Sequence, residues 1–396
     1  MKNITDFSFA GKRVLIRVDF NVPLDEDLKI TDDSRIVASL PTIKKVISDG
    51  GRAIIISHLG RPKKGFEESF SLKHIVQHLS FLLDRNVVFS GDCIGENAAN
   101  DVAKMQDKDV LLLENLRFYK EEKSGDRFFA KQLSELADVY INDAFGAAHR
   151  AHASTATIAQ FFPNDKYFGL LFKKEIDNLE FVLRNPKDPF TAIIGGAKIT
   201  EKIDVITALL NRVDNLIIGG GMAYTFAKSM GANIGNSLVE DEKIELAKEL
   251  IELAKRKGVN IVFPSDSVNA SVFDNNAEIN RSSIKAIPNG FIGLDIGKYS
   301  ILDFSKIISA SKTIIWNGPM GVFEMSNFEK GTKEIAAAIC KATEMGAYSL
   351  VGGGDSVAAI KKFGMEKKIS YISTGGGAML KYLKGEVLPG VEAILS

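Results

Sequence analysis

Apolar positions along this chain fall into two alternating patterns. Short β-branched apolar runs occur at 14–20, 53–57, 86–89, 110–114 and 139–143, and again at 191–194, 215–218, 260–263, 313–316, 348–351 and 369–373. Between them lie longer stretches whose apolar residues recur at helical spacing. Strand-length runs alternating with helical stretches predict βαβ units built around parallel sheets. Several runs are apolar at every position, as strands covered by helices on both faces require. Between the two sets, Leu170, Leu171, Ile176, Leu179, Val182 and Leu183 repeat at helical spacing within 167–184, until Asn185, Pro186 and Pro189 stop the pattern. This segment reads as a linker helix, with an ordinary crossover helix as the alternative. A chain of 396 residues also exceeds what one core supports. The expected fold is therefore α/β: two Rossmann-like domains, each a mainly parallel sheet flanked by helices, joined by the linker helix and a hinge. The first would span 1–168 and the second, with the linker, 169–376. The tail, 377–396, is apolar enough to dock back on the first domain.

Ligands of open parallel sheets gather beyond the carboxyl ends of the strands. In the first half those ends carry Asp19 and Asn21, then His58, Leu59, Gly60 and Arg61, then Arg117, then Arg150. Arg35 follows Asp32, Asp33 and Ser34, which are good helix-capping residues. Any one of these arginines alone reads as a solvated surface residue. Arg35, Arg61, Arg117 and Arg150 together with His58 at one sheet edge read differently, because guanidinium holds carboxylate and phosphate by paired hydrogen bonds. The cluster implies a small, multiply anionic substrate, with Asp19 and Asn21 reading its hydroxyl groups.

The second half ends its strands in glycines: Gly195 and Gly196, Gly219 and Gly220, Gly318 after Asn317, Gly353 and Gly354, and 375–377. Glycine lets backbone N–H groups approach a phosphate closely. One such loop would be a tight turn; five in one half-chain read as a nucleotide-phosphate cradle. No segment fits GxxxxGK[ST] or GxGxxG, which disfavours a P-loop and an ordinary dinucleotide fold. Lys198 and Lys202, read as one helical turn apart, would aim at the terminal phosphate. Asp355, at a helix start, would hold a magnesium ion carried in with the nucleotide, and Ser356 would serve as cap or phosphate donor.

Composition narrows the classes. Fifty basic residues balance fifty acidic ones, so neither nucleic acid nor a membrane surface is an expected partner. Cys93 and Cys340 stand far apart without CxxC or histidine partners, so neither a disulfide framework nor structural zinc is expected. His74 and His78 lie four apart on a helical stretch, but without HExxH context a surface or core role outweighs a metal pair. Residues 1–12 hold no signal-like apolar core, and no run approaches ~20 apolar residues; a cytoplasmic protein is expected. At this point a nicotinamide-dependent dehydrogenase and a hinged binding protein for a phosphorylated metabolite remain as alternatives. The first lacks its fingerprint, and the second leaves the glycine loops unexplained.

The motifs VDFNVP, SHLGRP, ENLRF, DAFGAAHRAHAS, GGAKITEKI, IIGGGMAYTF, WNGPMGVFE, GGGDS, STGGGA and LPGVEA follow one another along the chain. In kind and order they resemble those of the phosphoglycerate kinase family. The resemblance implies reversible phosphoryl transfer between 1,3-bisphosphoglycerate and ADP, giving 3-phosphoglycerate and ATP with Mg2+, in glycolysis and gluconeogenesis. It implies a cytoplasmic monomer that closes by hinge bending. Carried onto matching positions, it implies 3-phosphoglycerate contacts at Asp19, Asn21, Arg35, His58, Leu59, Gly60, Arg61, Arg117 and Arg150. Nucleotide contacts would be Gly195, Gly196, Lys198, Lys202, Gly219, Gly220, Gly293, Leu294, Asn317, Pro319, Glu324, Gly353, Gly354, Asp355 and Ser356. Arg35, Lys198 and Lys202 would act on the moving phosphoryl group.

Overall fold

The structure, a computed structural model, describes residues 4–396, so the first three positions of the segment read for a signal peptide lie outside the described residues. The chain divides into two compact units. One holds the described chain up to Asp177 together with Val387–Ser396; the other is Asn178–Glu386.

The first unit carries β1 (Arg13–Arg17), α1 (Ser34–Ser48), β2 (Arg52–Ile56), α2 (Val76–Leu83), β3 (Val87–Ser90), α3 (Gly95–Ala103), β4 (Val110–Leu113), α4 (Lys120–Ser124), α5 (Arg127–Ser134), β5 (Val139–Asn142) and β6 (Lys166–Phe168). Its strands form one six-stranded sheet in the order β3-β4-β2-β1-β5-β6, every pair parallel. The all-apolar strands explain the layering. Val14 and Ile16 join one buried cluster with Ala53, Ile55 and Leu112, while Leu15 joins the opposite one with Ile54, Ile56 and Leu113, as period-2 alternation dictates.

The linker helix α6 (Leu170–Arg184) starts three residues later than read from the sequence, because Lys166–Phe168 pairs with β5 as an edge strand. Asp143, just past β5, accepts a hydrogen bond from Phe172 N at 3.1 Å and so ties down the helix start. Burial pushes its carboxyl up to about 7. The division between units falls inside α6, rather than at 168/169.

The second unit continues with β7 (Phe190–Ile194), α7 (Ile203–Leu209), β8 (Asn215–Ile218), α8 (Met222–Ser229), β9 (Asn233–Ile234), α9 (Ile244–Arg256), β10 (Asn260–Val262), β11 (Asp266–Ala270), β12 (Ile279–Ser283), β13 (Ala286–Ile287), β14 (Ile292–Ile296), α10 (Lys298–Ala310), β15 (Thr313–Asn317), α11 (Lys330–Glu344), β16 (Tyr348–Val351), α12 (Gly354–Lys362), β17 (Tyr371–Ile372) and α13 (Gly376–Leu383). A second parallel sheet runs β10-β8-β7-β15-β16-β17. The sequence pattern missed the small antiparallel sheet β12-β11-β14, whose strands β11 and β12 read DSVNA and INRSS: β11 buries the polar Ser267 and Asn269 beside Ala270, and β12 buries no residue.

The last helix, α14 (Pro389–Leu395), belongs to the first unit. Gly390 N donates to Ala148 O at 2.9 Å, and Ala393 and Ile394 pack against the cluster that contains Ile158 and Ala159. The returning segment begins at Val387 rather than at 377, because α13 stays with the second unit.

Candidate functional site

In the first unit Arg17 at the end of β1, Arg35 of α1, Arg117 beyond β4 and Arg150 beyond β5 come together around one buried histidine that follows β2. His58 is 4% exposed. Its Nδ1 lies 3.1 Å from an Arg17 terminal nitrogen and 3.7 Å from Asp19 Oδ1. Burial holds its pKa well below the usual histidine value, and Arg17, Arg117, Arg150 and Arg35 push it the same way. A neutral imidazole ringed by four guanidinium groups marks a concentrated positive field. Arg117 is pushed down to about 10 by burial and then by Arg150 and Arg17, so it keeps its charge at neutral pH.

Arg35 donates to Asn21 O at 3.0 Å and, more loosely, to Asp19 Oδ2 at 3.4 Å. Arg117 donates to Gly60 O at 2.8 Å. Two buried polar atoms here have no hydrogen-bond partner: Asp19 Oδ1 and Arg117 Nε. One acceptor and one donor left open beside the arginines suit a ligand carrying both hydroxyl and anionic groups. Arg61 is exposed, with no polar partner among the described residues. Leu59 is buried and contributes its carbonyl, which accepts from Asn115 Nδ2 at 2.7 Å.

Several readings change. Asn21 spends its side-chain oxygen on Gly60 N at 2.8 Å, so it holds the loop after β2 and has only its amide N–H groups to offer a ligand. Asp33 starts α1 without a side-chain cap bond; its carboxylate takes His78 Nε2 at 2.9 Å instead, while Ser34 N donates to Asp32 Oδ1 at 2.9 Å. His74 Nε2 sits 2.8 Å from Glu68 O, so the two histidines serve separate partners. The sequence also concealed Arg17. It is 1% exposed and donates to Ser154 Oγ at 2.8 Å, and Ser154 in turn donates to the buried Glu122 at 2.7 Å. The available signal was a charge ending an otherwise apolar strand.

His152, 3.7 Å from Glu122 Oε1, is pushed down to about 4 by burial and then by Arg17, Arg117 and Arg150. An unfolded histidine takes up its proton near pH 6.5. Between those values the unfolded state binds the extra proton, so stability is full above about pH 6.5 and falls as pH drops toward about 4. Melting curves across that window are expected to be flatter for His152→Gln; an unchanged slope would assign the acid loss elsewhere.

In the second unit the glycine loops interlock. Gly195 N donates to Asn317 O at 2.9 Å, and Gly220 N to Met320 O at 3.1 Å. A Cβ on Gly195 would lie 2.0 Å from Pro319 O and 2.6 Å from Gly318 O, so only glycine fits between these loops. Lys202 Nζ hydrogen-bonds the Asn317 side-chain oxygen, and burial lowers its pKa. Asn317 Nδ2 donates to Gly352 O at 2.7 Å.

Lys198 and Lys202 are not a helical turn apart on a helix, since α7 begins only at Ile203. Glu240 takes the Ile199 and Thr200 N–H groups at 2.5 and 3.3 Å and holds 198–202 as an irregular loop. Ser356 does not cap α12, whose N-cap is Gly353. Fully buried, its hydroxyl accepts from Gly318 N at 2.5 Å and pins that loop.

These loops open on a cavity of about 430 Å³ lined by Gly196, Gly220, Pro319, Glu324 and Asp355 on one side and Gly293 and Leu294 of β14 on another. Tyr224 and Phe273 also line it, and neither could be found from strand ends, because one sits on a helix and the other beyond β11. Gly293 must lack a side chain: a Cβ there would lie 2.2 Å from Tyr224 Oη. Loops rich in backbone N–H groups beside an apolar slot suit phosphates joined to a flat ring. Among the described residues no cluster of three or more His, Cys, Asp or Glu could hold a metal. Cys93 and Cys340 are both buried and free, and no helix is long and apolar enough to cross a membrane.

A family model described as phosphoglycerate kinase matches residues 4–386. The chain is 52% identical over 415 residues to a phosphoglycerate kinase of Porphyromonas gingivalis, covering 99% of each. It is 52% identical to a cytosolic phosphoglycerate kinase of Triticum aestivum, covering 97% of this chain and 95% of the relative. The solved structure of phosphoglycerate kinase from Coxiella burnetii superposes with a TM-score of 0.88 at 39% identity, covering 99% of this chain and 98% of that one.

Proposed function

This chain belongs to the phosphoglycerate kinase family, and from that premise we propose how its two sites share the family's reaction. The reaction is the glycolytic transfer of a phosphoryl group between 1,3-bisphosphoglycerate and ADP, giving 3-phosphoglycerate and ATP. In this reading the first unit holds the phosphoglycerate: Arg61, Arg117 and Arg150 take its phosphate, and Asp19 and His58 its hydroxyl and carboxylate end. The observation that carries it is the convergence of four guanidinium groups on His58 beside two unpartnered buried polar atoms.

The nucleotide lies on the second unit, its base in the slot beside Gly293 and Leu294 and its phosphates on the loops that begin at Gly195, Gly219 and Gly353. Lys198, Lys202 and Arg35 bear on the transferring group. Asp355, exposed at the second position of α12, suits magnesium, which keeps phosphate and water ligands and needs only one or two carboxylates. Held there, magnesium would offset phosphate charge. The acceptor carboxylate is already ionised near neutral pH, with a pKa of about 4, so the chain needs no general base and catalyses by positioning and charge. In-line transfer requires the two bound ligands to reach bonding distance, and hinge closure accompanies turnover in this reading. One chain carries both sites, so no second copy is needed, and a cytoplasmic location matches the wheat relative.

Purified protein mixed with MgATP and 3-phosphoglycerate is expected to form ADP only when both are present. ADP formation with MgATP alone, unchanged by 3-phosphoglycerate, would defeat the assignment of the arginine pocket.

A further inference from the structure

The first unit carries a larger depression that belongs to neither site. Its volume is about 830 Å³, and its walls come from the hairpin at 28–30, the face of α2, and Phe89 of the edge strand β3. Three independent features of it are unused by phosphoryl transfer.

The first is Leu28, a non-glycine residue at φ +61°. Leu28 N donates to Asp25 O at 3.0 Å and Asp25 N to Lys29 O at 2.9 Å, which places Leu28 where a tight hairpin ordinarily takes glycine. Leucine gains nothing there as a turn former, yet it lines the depression. The second is Phe81, a lining residue that is 79% exposed. The third is charge: Lys29, Lys73, His74 and His78 line the depression and no acidic residue does. Lys29 is offset by Asp27 at 3.2 Å, in a pair exposed on both sides. His78 is held by the Asp33 carboxylate at 2.9 Å, and His74 by the Glu68 carbonyl at 2.8 Å with the Glu68 carboxylate 3.9 Å away. Lys73 has no carboxylate partner among the described residues.

We propose that this depression binds a free amphipathic organic anion, with its acyl or aromatic body on Leu28, Phe81 and Phe89 and its phosphate or carboxylate on Lys73 and His78. The apolar wall alone would accept any hydrocarbon, and the Lys73 ammonium alone any anion; their adjacency selects molecules that carry both. A concave depression of about 830 Å³ has room for a single small molecule, which separates this reading from docking on a bilayer. The ligand's acid group takes the place of Asp33 on His78, so the His78 imidazole reports occupancy.

Octyl phosphate is the probe, titrated by calorimetry into the full chain with 3-phosphoglycerate saturating the arginine pocket. Saturable one-to-one binding is expected, together with a change in the His78 imidazole resonance. Lys73→Glu is expected to weaken it by about tenfold, from reversing one charge near the anion, and Phe81→Ser by a comparable factor. Both positions are exposed, so unchanged KM values for 3-phosphoglycerate and MgATP certify the fold of each variant. Inorganic phosphate is expected to bind far more weakly, and vesicles of phosphatidylglycerol to leave the protein in the supernatant. The proposal is overturned by any of four results: no saturable binding, equal affinity in both variants, inorganic phosphate binding as tightly as octyl phosphate, or sedimentation with the vesicles.

Discussion

Arg35→Ala is expected to lower kcat by about two to three orders of magnitude, the range seen when one preorganised charge donor is lost, while KM for 3-phosphoglycerate moves by less than about tenfold. Arg35 is half-buried and held by one carbonyl at 3.0 Å and one carboxylate oxygen at 3.4 Å. A contact that long is weak, so the guanidinium can leave Asp19 for a stronger acceptor as charge builds on the moving phosphoryl group. An interaction made mainly in the transition state appears in kcat rather than in KM. Arg35→Lys should recover little, because an ammonium cannot reproduce the planar fork. Steady-state kinetics with each substrate varied decides the matter: a raised KM with kcat intact would make Arg35 a binding residue only.

The second large effect is expected from the smallest substitution, Gly195→Ala. The added methyl would meet two backbone oxygens, at 2.0 and 2.6 Å, and neither can rotate away as a side chain would. The loops after β7 and β15 must part, and overpacking of this kind costs about 1–3 kcal/mol. For a unit of this size that corresponds to a melting-temperature loss of roughly 3–10 °C. The same shift separates Gly195 N from Asn317 O and moves Asn317 away from Lys202, so KM for MgATP should rise at least about tenfold while KM for 3-phosphoglycerate holds. Calorimetry and the two KM values test this together, and a variant normal in all three would mean that the loops accommodate the methyl group.

Apart from the short edge strand β6, the strands of both parallel sheets were legible because burial on two faces leaves little room for polar residues, as the runs at 110–113 and 216–218 illustrate. The β12-β11-β14 sheet was not legible, because Asn269, Asn280 and Arg281 interrupt any apolar signal and the pairing is set by neighbours distant in sequence. The site divides along a similar line. Arginines and glycines at strand ends can be picked out by residue type and position alone. What type cannot disclose is which polar groups are already committed to the scaffold. Asn21 serves Gly60, Ser356 serves Gly318, and Glu240 takes the N–H groups of Ile199 and Thr200. Each partner lies some forty residues away or nearly so, outside any local pattern. Arg17 and Glu122 were hidden for the same reason: their importance comes from Ser154, which both contact.

The closing segment Val387–Ser396 imposes an order on biosynthesis. Translation proceeds at ~5–20 residues per second, so roughly 10–40 s separate emergence of Asp177 from that of Val387. Throughout that interval the nascent first unit lacks its lid: the Ala148 carbonyl has no Gly390 amide, and the apolar surface destined for Ala393 and Ile394 faces water. A ribosome stalled in the second unit therefore holds an almost finished half-protein with a sticky flank, and nonsense truncations upstream of Val387 should yield aggregating products even when every arginine of the first pocket has been made.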